Sequence, residues 1–185
     1  GRKLRHAGRL KRLVNKGLGP LEDGQTVVII GGGPGGTSCA IMLSRLAKRR
    51  NIDLNIVLYE GKDFGKNEQF NPCVGVLSPP IEEILENELG IPFPYELILE
   101  KIPAYYLHSD DEVIKLEGDG EMSFAVHRML FDNYLMYYAK HAGVKVIHSR
   151  ATNIDVEPSG VMVYSETDNR RADVVVGAFG LDEGA

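Results

Sequence analysis

The sequence has little cysteine: Cys39 and Cys73 are the only two in 185 residues, well separated and outside any Cys-x-x-Cys pair. A disulfide scaffold and dithiol chemistry are both excluded on that count, and the expected setting is reducing and cytoplasmic. Long apolar runs are also missing. The longest, Thr26 to Ile30 with its flanks, is far too short to cross a bilayer, and nothing reads as a secretory signal. The five histidines lack ligand spacing such as His-x-x-x-His, so no metal is expected. There is no internal repeat and no low-complexity stretch. What is present, 43% hydrophobic and 25% charged residues, is globular composition on a chain long enough for one packed core.

Acid is absent from residues 1–20, which carry seven bases: Arg2, Lys3, Arg5, Arg9, Lys11, Arg12 and Lys16. The net charge of −5 therefore understates how acidic the body of the chain is, and an acidic body argues against a nucleic-acid partner. Leu4, Ala7, Leu10, Leu13, Val14 and Leu18 recur three to four residues apart, which predicts a short amphipathic helix ending near Gly17–Pro20. Residues 1–24 are read as a basic N-terminal extension. Three roles are open to it: a solvated arm, a segment docked on the acidic body, or peripheral contact with an anionic membrane surface, giving a cytoplasmic protein with membrane association.

Thr26-Val27-Val28-Ile29-Ile30 has the β-branched, unalternating pattern of a strand buried on both faces. Gly31-Gly32-Gly33-Pro34-Gly35-Gly36 follows at once. Thr37 to Arg50 then has helical spacing, and Leu54 to Tyr59 is a second buried strand, completing a β-α-β unit. Gly31-x-Gly33-x-x-Gly36 alone is a weak signal, but between strand and helix it acquires meaning. Gly31 permits the tight turn, Gly33 lets backbone approach a pyrophosphate, and Gly36 lets helix pack closely on strand. The helix N-terminus offers N–H groups and a positive dipole, and Pro34 suits the first turn, where no N–H is needed. Glu60 stands 24 residues past Gly36, at the end of the second strand, where a carboxylate accepts hydrogen bonds from an adenosine ribose and disfavours a 2′-phosphate. The candidate cofactor-binding residues are thus Gly31, Gly33, Pro34, Gly35, Gly36 and Glu60.

Further along, Pro79–Leu89 reads as a helix and Ala104–His108 with Glu112–Leu116 as two strands joined at Ser109-Asp110-Asp111. Met129–His141 is helical, with Gly143 as its stop. Val144–His148 is a strand, Asn153–Val156 and Val161–Tyr164 form a hairpin, and Asp173–Ala178 is a last apolar strand. Cys39 is expected in the core. The Tyr105-Tyr106 and Tyr137-Tyr138 pairs are expected to pack rather than to form stacking platforms.

Motif chemistry does not separate FAD from NAD. Val27 to Glu60, however, resembles the FAD fingerprint of the flavoprotein superfamily typified by para-hydroxybenzoate hydroxylase. Val126-His127-Arg128-Met129-Leu130-Phe131-Asp132-Asn133-Tyr134-Leu135 is similar to that superfamily's Arg-x-x-Phe-Asp-x-x-Leu helix start, which places a cofactor-contacting arginine at Arg128. Ala142–Val146 resembles its helix-to-strand step and Arg171–Ala178 the strand before its Asp-Gly motif. Here Gly177-Ala178-Phe179-Gly180 stands in place of Gly-Ala-Asp-Gly, with Asp182 two places on. Asn71-Pro72-Cys73-Val74-Gly75-Val76-Leu77-Ser78-Pro79 resembles the Pro-Cys-Gly-Gly-Gly-Leu-Ser loop of geranylgeranyl reductases, which runs beside the flavin ring. Cys73 is on that ground a flavin-adjacent candidate for catalysis.

The resemblance implies an α/β fold. It would be a Rossmann-like FAD-binding domain of the GR2 type over residues 25–185, with a β-hairpin or meander excursion at about 62–125, ending before a substrate domain. It implies an FAD-dependent oxidoreductase that reduces double bonds of isoprenoid or other lipid-like substrates, with NAD(P)H as candidate electron donor. The alternatives are a flavin monooxygenase or halogenase of the same superfamily, and a non-catalytic dinucleotide-binding module.

Overall fold

The computed structural model describes residues 20–62, 73–117, 120–158 and 160–180. The expected amphipathic helix in the basic segment lies outside these residues. Leu21 packs against the core and Gly24 N–H donates to the Asp53 carbonyl (2.7 Å), which ties residues 20–24 to the domain.

The elements begin with β1 (Thr26–Ile30), α1 (Pro34–Arg50) and β2 (Asn55–Tyr59). The excursion contributes β3 (Val76–Leu77), α2 (Ile81–Glu83) continued by a π-helical turn (Ile84–Leu89), and a 3-10 turn (Tyr95–Leu97). It goes on through β4 (Ile98–Ile102), β5 (Ala104–His108), β6 (Val113–Glu117) and β7 (Ser123–Val126). Then come α3 (Arg128–His141), β8 (Lys145–Ile147), β9 (Ala151–Glu157), β10 (Gly160–Ser165), β11 (Asn169–Ala172) and β12 (Val174–Gly177).

β1 is buried on both faces because both are covered. The central sheet is parallel, in the order β12-β1-β2-β8. Val27, Ile29, Ile56 and Leu58 point to one side, where Ala40 and Ile41 of α1 and Phe131, Leu135, Met136 and Ala139 of α3 close the core. Val28, Ile30, Val57 and Tyr59 point to the other, against Val163 and Ala172 of the antiparallel sheet β11-β10-β9. This is why neither strand alternates apolar with polar. Each fully buried aliphatic side chain contributes about 1.5–3 kcal/mol.

α1 buries Ala40, Ile41, Ser44 and Ala47, spaced three to four apart, and ends on the left-handed Asn51 with Lys48, Arg49 and Arg50 in its last turn. Its first turn contains no acid. Ser44 Oγ (2.7 Å) and Lys48 Nζ (3.1 Å) both donate to the Ala142 carbonyl, so α1 satisfies the end of α3. Gly143, at φ 96°, ends that helix as expected.

The excursion departs from the sequence reading in three ways. Only Ile81–Glu83 of the expected Pro79–Leu89 helix is α-helical, and Ile84–Leu89 widens to a π turn that buries both Leu85 and Leu89. β3 and β4 flank β7 in a small antiparallel sheet whose strands were not foreseen. Tyr105 and Tyr106 lie on the β5–β6 hairpin and are 41% and 57% exposed, so they are not core packing. The reason is that this hairpin has no covering layer among the described residues, and its pairs Tyr105–Leu116 and Leu107–Ile114 share one exposed face. Tyr137 and Tyr138 meet edge to face, with ring centroids 5.3 Å apart; Tyr138 packs against the core as expected, while Tyr137 is 54% exposed.

Candidate dinucleotide site

The parallel strands run in chain order 1, 2, 3 outward from β1 to β8, while the fourth, β12, lies on the other side of β1. Strand order reverses at β1, and in such sheets ligands bind in the crevice beyond the carboxyl ends at the reversal. The glycine segment occupies that position.

Within it, the glycines divide by what surrounds them. Gly31, at φ +106°, passes so close to β12 that a Cβ would strike the Ala178 carbonyl. A Cβ on Gly32 would meet Met136 of α3 and the stem of Glu60, and one on Gly36 would strike the Gly31 carbonyl. These three serve the protein's own packing. Among the described residues, nothing lies within 4 Å of where a Cβ on Gly33 or Gly35 would stand. Open space over two glycines of a helix start is a cradle into which backbone N–H groups point and from which side chains are excluded. The first bond of α1 is Thr37 N–H to the Gly33 carbonyl (3.0 Å), so the amides of Gly35 and Gly36 precede the helical ladder and find no acceptor among the described residues. Pro34 opens the helix without an N–H to satisfy. The residues present therefore fit an anionic diphosphate.

Glu60 sits where β2 ends. Its Oε2 accepts the Gly32 N–H (2.6 Å) and its Oε1 the Lys62 N–H (2.7 Å), so the carboxylate shapes the glycine turn. Each oxygen retains a lone pair for a ribose hydroxyl. The Tyr59 carbonyl accepts the Gly31 N–H (2.9 Å). Gly61 lies against Arg150, beyond β8. There Ser149 Oγ is buried without a hydrogen-bond partner among the described residues.

Arg128 and Cys73 come together. α3 runs back to feed β8, so its first turn lies at the carboxyl edge of the sheet. Arg128 Nε donates to Asp132 Oδ1 (2.7 Å), a carboxylate only 2% exposed, and the Cys73 sulfur lies near enough to the guanidinium to interact with it electrostatically. The loop holding Cys73 is pinned by Gly75 at φ +75°, whose carbonyl accepts Val126 N–H (2.8 Å) and whose Cβ, if it had one, would strike the Val126 carbonyl. Met136 touches the glycine turn, and Arg128 starts the same helix eight residues earlier, about 12 Å along its axis at 1.5 Å per residue. Asn71 and Pro72 of this loop, and Asp182 after β12, lie outside the described residues. Phe179 folds its ring over Gly177 and is half exposed.

Asp132 was within the quoted Arg-x-x-Phe-Asp motif but had no role assigned. Its i,i+4 spacing from Arg128 was the available signal. The cluster under Tyr59 had no such signal. The Tyr59 hydroxyl donates to Asp168 Oδ1 (2.7 Å), and Arg170 binds both, through Nε to the hydroxyl (3.3 Å) and Nη2 to Asp168 Oδ2 (2.9 Å). The Tyr59 hydrogen bond holds the Asp168 carboxyl below its ordinary range, against the opposing cost of burial. Two concavities of about 230 and 390 Å³ lie over the β3-β7-β4 sheet around Pro79, away from the glycine turn. Among the described residues no cluster could hold a metal, and no helix is long and apolar enough to cross a membrane.

The two thiols differ in environment. Cys73 is exposed, while Cys39 packs against the core and burial pushes its thiol up. A maleimide or disulfide reagent at neutral pH is expected to modify Cys73 rapidly and Cys39 only slowly. Equal rates by peptide mapping would contradict this placement.

No protein-family model matches the sequence, and no curated protein does either. Solved structures do. A geranylgeranyl bacteriochlorophyll reductase-like protein from Thermoplasma acidophilum matches 86% of the chain at 23% identity, with a TM-score of 0.65 over 40% of its own length. The flavin-dependent brominase Bmp2 matches 85% of the chain at 19% identity, with a TM-score of 0.67 over 38% of its length. The halogenase PltM, solved with phloroglucinol and FAD, matches 83% at 14% identity, with a TM-score of 0.62 over 34% of its length. At these identities the likeness is one of fold: an α/β, Rossmann-like domain of the kind these flavoproteins carry. The chain spans 40% or less of each of them.

Proposed function

We propose that this chain is the FAD-binding part of a flavin-dependent oxidoreductase. The observation that carries the reading is the division among the glycines, with Gly33 and Gly35 facing open space while Gly31, Gly32 and Gly36 are required by the fold itself. Bound FAD would supply electron-transfer chemistry that no side chain here possesses. The N–H groups of Gly35 and Gly36, at the turn that Gly33 and Pro34 form, would hold the pyrophosphate, Glu60 the adenosine ribose, and Arg128 the half of the cofactor that bears the flavin. Asp132 would keep Arg128 oriented for this.

The protein is expected to copurify with a yellow cofactor that denaturation releases as FAD. Release of FMN alone would sink the reading, because neither a pyrophosphate loop nor a ribose acid serves FMN. Glu60→Gln should lower FAD affinity by roughly 1–3 kcal/mol, about 5- to 150-fold, by weakening a charged hydrogen bond. Unchanged affinity in a fluorescence titration would remove Glu60 from the site.

Within this reading we put an oxygen-using flavin enzyme, a monooxygenase or halogenase, first, because a brominase, a halogenase and a peptidyl tryptophan dihydroxylase share the fold beside one reductase-like protein. A double-bond reductase of isoprenoid or lipid-like substrates is the second reading, favoured by the exposed Cys73 held against Arg128 in a reductase-like loop. In either case the substrate is a small or lipid-like molecule, with NAD(P)H as the proposed electron donor. Assay of the full-length protein with and without oxygen separates the two. Product formed only with oxygen supports the first. Hydrogenation of the substrate under anaerobic conditions, slowed by Cys73→Ser while FAD stays bound, supports the second.

A further inference from the structure

We propose that Tyr59 is a positioning residue for the dinucleotide site, a hook that fixes the glycine turn from the opposite face of the sheet; this rests on the FAD-binding reading given above. Tyr59 is 1% exposed and stands in a layer otherwise made of Val28, Ile30 and Val57, where an aliphatic residue would complete the packing. Instead it brings a hydroxyl across to the β10–β11 turn. The hydroxyl donates to Asp168 Oδ1 and accepts from Arg170 Nε, and Ser165 Oγ adds a further bond to Asp168 Oδ1 (3.0 Å). The residue's main chain points sideways, within the sheet. Its carbonyl receives the Gly31 N–H, and the next residue, Glu60, receives the Gly32 N–H on its carboxylate.

The two amides that shape the turn are thus both held at the end of β2, by Tyr59, its last residue, and by Glu60, the next, and the Tyr59 side chain is anchored to a third layer. A strand end free to fray would carry Gly31, Gly32 and the Glu60 carboxylate with it. Anchoring Tyr59 holds the Gly33–Gly36 cradle in a binding geometry before the ligand arrives, and preorganisation of this kind raises affinity by removing the cost of ordering.

Tyr59→Phe tests the hook while keeping the ring and its packing. Amide hydrogen exchange by NMR on the ligand-free protein is expected to speed up about tenfold at Gly31 and Gly32, with Leu135 and Ala139 of α3 unchanged; tenfold corresponds to about 1.4 kcal/mol of local opening. Asp168→Ala should reproduce this, and Asp168→Asn, which keeps an acceptor for the hydroxyl, should restore it. Combining Tyr59→Phe with Asp168→Ala should add little, because both break one connection. FAD affinity should fall by about tenfold in the variants that speed exchange. Unchanged exchange at Gly31 and Gly32, or a rise matched at Leu135 and Ala139, overturns the proposal, since the second would mean a general loss of stability. The exchange result decides the positioning role with or without cofactor. A wild-type protein that binds no FAD would instead overturn the cofactor reading.

Discussion

Gly36→Ala is expected to destabilise the fold by about 2 kcal/mol or more, although alanine is the better helix former. In a helix, alanine is favoured over glycine by about 1 kcal/mol, so propensity alone predicts a small gain. Sterics decide the other way. The new Cβ would strike the carbonyl of Gly31 and press on Ile29 Cγ2 of β1. The first of these is backbone, held by the Gly31 N–H bond to Tyr59 and by the contact with Ala178. No flexible side chain can yield, so α1 must lift away from β1 at its first turn. Overpacking costs typically 1–3 kcal/mol and more when backbone must move, which exceeds the propensity gain. A domain of this size loses about 2–4 °C in Tm per kcal/mol, so a fall of roughly 4–8 °C is expected in a thermal melt. A Tm at or above that of the wild type would show that helix and strand are not in the contact described.

Gly33→Val is expected to do the reverse, leaving the fold intact and removing the cofactor. Gly33 is extended, at φ −68° and ψ −175°, a conformation open to any residue, and its Cβ position is empty. The stability change should stay within about 0.5 kcal/mol, as for other substitutions that touch nothing. The branched side chain would, however, fill the cradle above the first-turn amides. FAD affinity is expected to fall by at least about 100-fold, or 2.7 kcal/mol, because the pyrophosphate would lose its approach to those N–H groups. The check is a flavin fluorescence titration set beside a thermal melt of the same protein. Wild-type affinity in Gly33→Val would take the glycine turn out of the binding site.

The β1–glycine–α1–β2 unit was readable residue by residue. Its signals are local: an unbroken β-branched run, a helical stripe at Ala40, Ile41 and Ala47, and an acid at the strand end. α3 and its stop at Gly143 were readable for the same reason. β3 and β7 were not, since strands of two and four residues are too short to show a period. β11, Asn169–Ala172, is a polar edge strand that owes its place to pairing with β10 rather than to its own pattern. The exposure of Tyr105 and Tyr106 was missed because an aromatic pair on a strand carries no mark of whether a second layer covers it.

By itself, then, the sequence determined that a glycine-rich turn joins a doubly covered strand to a helix and that Glu60 closes the next strand, because each of these depends on neighbours within a few positions. Only the tertiary structure decided which glycines belong to the protein and which to a ligand. Ala178, Met136 and Glu60 stand far from the turn in the chain and fill the space beside Gly31 and Gly32, and none of the described residues fills it beside Gly33 and Gly35. The meeting of Cys73 with Arg128 and of Tyr59 with Asp168 was decided in the same way. Contacts between residues 28 to 147 positions apart are made by sheet order and layer packing, and no local pattern encodes those.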